Sequence, residues 1–273
     1  MRVLIHIHIF YAEYIKELAV CARNLECACG QGNVVTWVTF PAVRGEELES
    51  ACREAFPSAN IMEMPNAGYD VGPFFETLAH IDLSRFDVVV KIHTKRDSPP
   101  MWINFRNLEG AKWRQALLSF CATRKAAERM VRLFEHRQDV GMIAGRGVID
   151  INGFAVDHDR ERLREALVQI GADCAAPMRV WGTMFAVRTA ILQRIGPHRI
   201  TEFLVVTDEN AHKVYGAADY FEELIPVVTQ ALGYRISSAT YPLCIEQAYF
   251  VLARPVFSVL RAIARLARSI FRK

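Results

Sequence analysis

Two short stretches of this chain hold residue types that could do chemistry. Asn66-Ala67-Gly68-Tyr69-Asp70 offers an amide and a carboxylate around a glycine, and Lys91-Ile92-His93-Thr94-Lys95 places three potential cations at alternate positions. If the apolar run ending at Val90 is a strand that continues, Lys91, His93 and Lys95 share one face. Like charges on one face call for an anion between them, and a phosphate or diphosphate would serve. Asp70 could accept from a sugar or ribose hydroxyl, Asn66 could orient it, and Gly68 would let a ligand approach the backbone. The same residues would also make a well-capped turn with Asp70 at the start of a helix, and His93 could be a satisfied structural histidine. His6 and His8 alternate on another strand, where buried hydrogen-bonded roles account for them.

Six further residues, at four places in the chain, carry weight. Arg114, following Trp113 near the start of a helical stretch, could meet an anion there, as helix N-termini favour negative groups, or could simply belong to an anchored surface helix. Gly182 and Thr183, inside an otherwise extended run, suggest close backbone approach by a ligand. Arg188 closes that run and is a candidate ligand contact. Glu222 and Glu223 are adjacent acids in an apolar helix. They cannot both share one face, so either one points inward as a candidate general base or the pair is exposed.

The elements that must position these residues follow from periodicity. Strands are expected over Val3–Phe10, Asn33–Phe40, Asn60–Met64 and Asp87–Thr94, alternating with helices over Tyr14–Asn24, from Gly45 onward, and Pro73–Ile81. That alternation predicts a parallel sheet covered by helices on both sides, with ligands beyond the strand C-termini. Downstream, Asp97-Ser98-Pro99-Pro100 reads as a loop and Gly110–Gln138 as one long helical stretch. Val140–Ala144 reads as a strand, His158–Ile170 as an exposed helix, Met178–Val187 as extended, and Thr189–Ile195 as helical. The pattern ends with a helix over Ala217–Leu232, broken or kinked at Pro226, and a strand over Arg235–Tyr241.

Composition narrows the classes. The chain has 273 residues, 52% of them hydrophobic and 23% charged, with a net charge of +3. That suits one large globular domain. Arg261, Arg265, Arg268, Arg272 and Lys273 follow Pro255 with no acid among them, and removing these five from 33 basic residues leaves 28 against 30 acidic. A slightly acidic body argues against nucleic acid as a partner. The seven cysteines lack zinc-like spacing and read as free thiols of a reducing compartment. No signal-peptide pattern opens the sequence and no apolar run reaches a membrane-spanning length, so a soluble or peripheral protein is expected. Val256, Val259, Leu260, Ile263, Leu266, Ala267 and Ile270 recur at helical spacing among the arginines. Such a basic amphipathic helix suits an anionic membrane surface, or packing on the body or a partner. The expected organisation is a domain over 1–250 and this helix over 251–273.

Taken in order, several pieces resemble the rhamnan synthesis protein F family of bacterial polysaccharide glycosyltransferases. They are Ile5-His6-Ile7-His8, Asn66–Phe74, Lys91–Lys95, Trp113-Arg114, Val140-Gly141-Met142-Ile143 and Gly182–Arg188. The resemblance implies a GT-A-like, Rossmann-type, mostly parallel α/β sheet flanked by helices. It implies transfer of a sugar from a nucleotide-diphosphate sugar, such as dTDP-L-rhamnose, to a lipid-linked or polysaccharide acceptor during cell-surface polysaccharide assembly. The enzyme would then sit in the cytoplasm at the inner face of the membrane. In that frame Asn66, Gly68 and Asp70 hold the nucleotide-sugar, with Lys91, His93, Lys95 and Arg188 on the diphosphate. Arg114, Gly182 and Thr183 line the substrate, and the catalytic residues are Glu222, as the base, and Asp70. The family usually has Arg where Tyr69 stands and pairs Glu with Arg where Glu222-Glu223 stand. GT-A transferases commonly hold a divalent metal (Mg or Mn) by Asp-x-Asp at the end of the fourth strand. Here His93-Thr94-Lys95 stands there, so no metal ligand is assigned and metal-independent transfer is expected. These departures also admit a non-catalytic nucleotide-sugar or glycan-binding relative in a polysaccharide assembly complex.

Overall fold

The computed structural model describes residues 1–103, 106–151, 178–196 and 217–240, with short helical pieces between 165 and 168 and between 245 and 259. Its first half alternates strand and helix as the periodicity predicts: β1 (Val3–His8), α1 (Ile15–Cys29), β2 (Val34–Pro41), α2 (Gly45–Ala55), β3 (Asn60–Met64), α3 (Val71–Ala79) and β4 (Val88–His93). A hairpin of β5 (Ser98–Ile103) and β6 (Arg106–Gly110) follows, then α4 (Ala111–Leu118), α5 (Arg124–His136), β7 (Val140–Ala144) and β8 (Ile149–Asp150). The remaining elements are β9 (Arg179–Val180), β10 (Phe185–Arg188), α6 (Thr189–Ile195), α7 (Ala217–Ala231) and β11 (Arg235–Ser237).

Seven strands form one sheet in the order β11-β7-β10-β4-β1-β2-β3. Every neighbouring pair is parallel except those made by β10, which runs antiparallel to both β4 and β7. The chain winds outward from β1 through β2 to β3, then returns past β1 to lay β4 on its other side. The order therefore reverses between β1 and β4, and in open sheets of this kind the space beyond the carboxyl ends at such a reversal is where ligands bind. Val3, Leu4, Ile5 and Ile7 of β1 and Val88, Val89, Val90 and Ile92 of β4 are wholly buried, which is why both strands read as near-continuous apolar runs.

Four expectations are corrected. The single long helix over 110–138 is two helices, because Ser119–Thr123 turns between them. Thr123 caps α5 by accepting from the Ala126 amide at 3.2 Å. The segment from Ser98 pairs with β6 instead of remaining a loop. Pro226 does not break α7, which runs through it. In the following turn Gln230 Nε2 donates to the Pro226 carbonyl at 2.9 Å and Thr229 Oγ1 to that of Ile225 at 2.8 Å. The last strand ends at Ser237 rather than Tyr241. The helix expected over 158–170 lies mostly outside the described residues, as does the chain from 260 onward.

Candidate functional site

The parallel register of β1 and β4 sets His6 beside Lys91 and His8 beside His93. Alternation then turns all four to one face at the carboxyl end of the sheet. Phe74 of α3 covers that face, 5.4 Å from the His6 ring and 5.6 Å from Lys91 Nζ. Lys91 is only 1% exposed, so its ammonium needs an anion. The anion is Asp70. Lys91 Nζ meets Asp70 Oδ2 at 2.5 Å and donates to the Thr183 carbonyl at 3.0 Å, while Thr183 Oγ1 donates to the same carboxylate oxygen at 2.5 Å. The charge alternation on β4 is thus answered from within the chain. Asp70 occupies the N-cap position of α3 but its side chain makes no capping bond, because it turns inward to this pair.

The backbone is bent to make the cluster. Tyr69 has φ +52 and Thr183 φ +51, and both are non-glycine residues in the left-handed region next to a group that contacts Lys91. Such conformations cost about 1–3 kcal/mol each and persist where the surroundings fix them. Gly182, at φ +82, shows what fixes the second: a Cβ there would meet Leu117 Cδ2 at 2.4 Å and Trp113 Cζ2 at 3.0 Å. Helix α4 therefore presses the Gly182-Thr183 turn toward Asp70.

Burial pushes the Asp70 carboxyl up, but His93 once protonated in acid, the charges of Lys91 and Lys95, and the Lys91 hydrogen bond outweigh it and hold the group well below the usual carboxylate range. Burial lowers Lys91, opposed by Asp70. Burial likewise holds His6 and His93 well below their ordinary value and His8 at about 4, so all three rings are neutral at pH 7. His8 Nδ1 and His6 Nε2 share the Thr39 hydroxyl at 3.0 and 3.1 Å. His93 Nδ1 lies 3.3 Å from Asp70 Oδ2, yet among the described residues neither of its ring nitrogens completes a hydrogen bond. Oδ2 already receives Lys91 and Thr183.

Glu222 joins this site from α7. Its Oε1 accepts from the Gly182 amide at 2.7 Å. Burial raises its carboxyl, opposed by Arg179, the Gly182 amide and Lys95, and reinforced by the charge of Asp70. Glu222 is half-buried, and Glu223 is the more deeply placed of the two acids. Glu223 is buried beside Arg179, with Nη1 3.0 Å from Oε1. The guanidinium of Arg179 lies 3.8 Å from the Trp181 ring centre, and Trp181 Nε1 donates to Asp150 at 3.3 Å. Glu222 is thus engaged by the turn before β10 and Glu223 by Arg179 of β9.

A rim of aromatic rings and guanidinium groups follows the carboxyl ends of β1, β2 and β4. Phe10, Tyr11 and Tyr14 pack edge to face in series, with ring centroids 4.9 and 6.4 Å apart. Arg44 lies 4.3 Å from the Phe10 ring, Arg96 4.6 Å from Tyr11 and Arg114 4.2 Å from Tyr14. Thr94 ties this rim to β4 by accepting from the amides of Phe10 and Tyr11 at 2.8 and 3.1 Å.

The structure brings Asn66, Gly68 and Asp70 into one turn after β3. It gathers Asp70, Lys91, His93, Thr183, Gly182 and Glu222 around a buried charge pair, with Lys95 near enough to act on Asp70, Lys91 and Glu222. Arg114 joins the rim, held by Glu17 at 2.8 Å and by Asp97. Arg188 is the exception. Because β10 is antiparallel to β4, Arg188 sits beside Val88 at the amino end of that strand, away from the cluster. There it donates to the carbonyls of Val140, Phe134 and Arg137 at 2.7, 2.8 and 3.0 Å, closing the end of α5. Residues not singled out from sequence are Phe10, Tyr11, Arg44, Arg96, Thr39, Arg179 and Trp181. The aromatic pair directly after β1 was the one local sign of the rim. The end of β4 does not suit a divalent cation, since an ammonium already takes Asp70 Oδ2. Among the described residues no group of three metal-binding side chains is assembled.

Several solved structures are distantly similar. A cytidylyltransferase from Leptospira borgpetersenii shares 11% identity over 89% of this chain and 76% of its own, with a TM-score of 0.39. Glucosyl-3-phosphoglycerate synthase from Mycobacterium tuberculosis, solved with manganese, uridine-diphosphate-glucose and phosphoglyceric acid, shares 11% over 86% and 80%, with a TM-score of 0.36. The galactosyltransferase LgtC, solved with donor and acceptor sugar analogues, shares 14% over 86% and 73%, with a TM-score of 0.35. Comparison with curated proteins returns no match. The family described as rhamnan synthesis protein F matches residues 1–205, three quarters of the chain. The chain belongs to the rhamnan synthesis protein F family.

Proposed function

We propose that this protein is a glycosyltransferase that moves a sugar, rhamnose in the fullest form of the reading, from a nucleotide-diphosphate sugar to a growing cell-surface polysaccharide. The observation that carries it is the meeting, at the β1/β4 reversal, of an aromatic and cationic rim with two inward-facing acids, Asp70 and Glu222. The rim offers faces for a base and positive charge for a diphosphate. Asp70, fixed by Lys91 and Thr183, and Asn66 beside it receive the sugar hydroxyls. Glu222, raised by burial, takes the proton of the acceptor hydroxyl as its oxygen bonds to the anomeric carbon. The bond from that carbon to the diphosphate breaks with its electron pair on the diphosphate, and Lys95 with the rim arginines neutralises the leaving charge. No step is assigned to a metal, and the reading is of metal-independent transfer at the cytoplasmic face of the membrane.

The test is release of dTDP or UDP from the nucleotide-sugar with and without a glycan acceptor. Glu222→Gln keeps the oxygen that accepts from Gly182, so the turn should fold unchanged. Acceptor-dependent release should fall about 10²–10⁴-fold. Undiminished release in that variant would remove Glu222 as the base. Binding without release in the native protein would favour the non-catalytic relative. Activity lost in EDTA and restored by manganese would sink the metal-free step.

A further inference from the structure

Beyond the site, one surface of the described chain is out of keeping with an isolated soluble domain. Ten large hydrophobic residues are exposed among the described residues, and Ile245, Tyr249, Val251, Leu252, Val256 and Val259 account for six of them within fifteen positions. Five of these, Ile245, Tyr249, Leu252, Val256 and Val259, step by four and three in turn, so in helical backbone they form one stripe. Glu246 and Phe250 on the neighbouring stripe are buried. Among the described residues, the segment is therefore buried on one side and exposed on the other.

Its seat is specific. The Glu246 carboxylate receives Ser237 Oγ at 2.5 Å, the Ser238 amide at 2.9 Å and Ser238 Oγ at 2.5 Å, all at the carboxyl end of β11. Strand β11 is parallel to β7, and β10 is antiparallel to both β7 and β4, so β11 ends at the same edge of the sheet as β4. Three strand spacings separate them, roughly 14 Å.

We propose that the stripe from Ile245 to Val259 is a docking surface for an anionic lipid bilayer, anchored by Glu246 at the edge of the sheet where the Asp70 and Glu222 site opens. A lipid-carried acceptor would then reach that site from the side. The acceptor clause rests on the transferase reading, and the docking itself does not. Charge selects the occupant. The sequence places five basic residues and no acid after Pro255, directly following the stripe. Pairing with a second copy would bring those charges together, whereas anionic headgroups neutralise them.

The test is co-sedimentation of the full chain with vesicles of phosphatidylcholine and phosphatidylglycerol at a 7:3 ratio, against phosphatidylcholine alone. Binding to the anionic vesicles should weaken as salt shortens the Debye length. The double substitution Leu252→Glu with Val256→Glu changes two exposed side chains, so the melting temperature should hold while the bound fraction falls at least tenfold. Undiminished binding by that variant, or equal binding to phosphatidylcholine, overturns the proposal. So does a dimer that the same substitutions dissolve, with no vesicle-bound fraction. Vesicle binding is read without substrate, so a failure of the transferase reading would leave this result separate.

Discussion

Replacing Asp70 by Asn keeps the side chain's shape and removes the only carboxylate that pairs with Lys91 among the described residues. A buried charge that loses its partner costs about 3–5 kcal/mol. The ammonium has one escape, to shed its proton, which sets a ceiling. From the ordinary lysine value of 10.5 to pH 7 is 3.5 units, or about 5 kcal/mol at about 1.4 kcal/mol per unit. At pH 9 the same escape costs only about 2 kcal/mol. The destabilisation by Asp70→Asn should therefore be about 3–5 kcal/mol at pH 7 and shrink to about 2 kcal/mol at pH 9. Urea unfolding of both proteins at the two pH values measures it. Adding Lys91→Met should recover most of the loss, since the bare charge then disappears. A cost below about 1 kcal/mol at pH 7, a cost independent of pH, or a double variant no better than the single one would each refute a charged Lys91 held by Asp70.

Two further outcomes follow from the geometry. His8 titrates at about 4 in the folded protein against 6.5 ordinarily, so on acidification the unfolded chain takes up its proton first. Its stabilising share is whole above about pH 6.5 and is lost between 6.5 and 4, by about 3 kcal/mol. His6 and His93 shift in the same direction and deepen the loss. Asp70, likewise depressed, adds its own loss only below its ordinary 3.8. Thermal melting followed from pH 7 to 4.5 should show a steep fall, and a flat profile would contradict neutral buried rings. Arg188→Ala strips three carbonyls of a charged donor and should cost about 2–3 kcal/mol in unfolding measurements while leaving nucleotide-sugar binding intact. Weakened binding in a folded Arg188→Ala protein would return that arginine to the site.

The sequence on its own determined the elements whose side chains obey one period. The wholly buried strands β1 and β4 announced themselves as unbroken apolar runs, and Asn60–Met64 and Val140–Ala144 were bounded correctly because turn residues flank them. It also drew Asp70, Lys91 and His93 to one neighbourhood, since a polar cluster after a buried strand has few other uses. What it could not supply was the direction of β10. Two antiparallel pairings turned Arg188 from a ligand contact into a clamp on α5, and a strand's orientation leaves no mark on its own alternation. Nor could it reveal that the anion among the cations is Asp70, 21 residues away in sequence. The approach of Gly182-Thr183 to that carboxylate, and of Glu222 to Gly182, are likewise long-range contacts made by the close packing of α4 and α7 against one turn. Local chemistry chose the residue types. Only the closed packing of the fold decided which of them would meet.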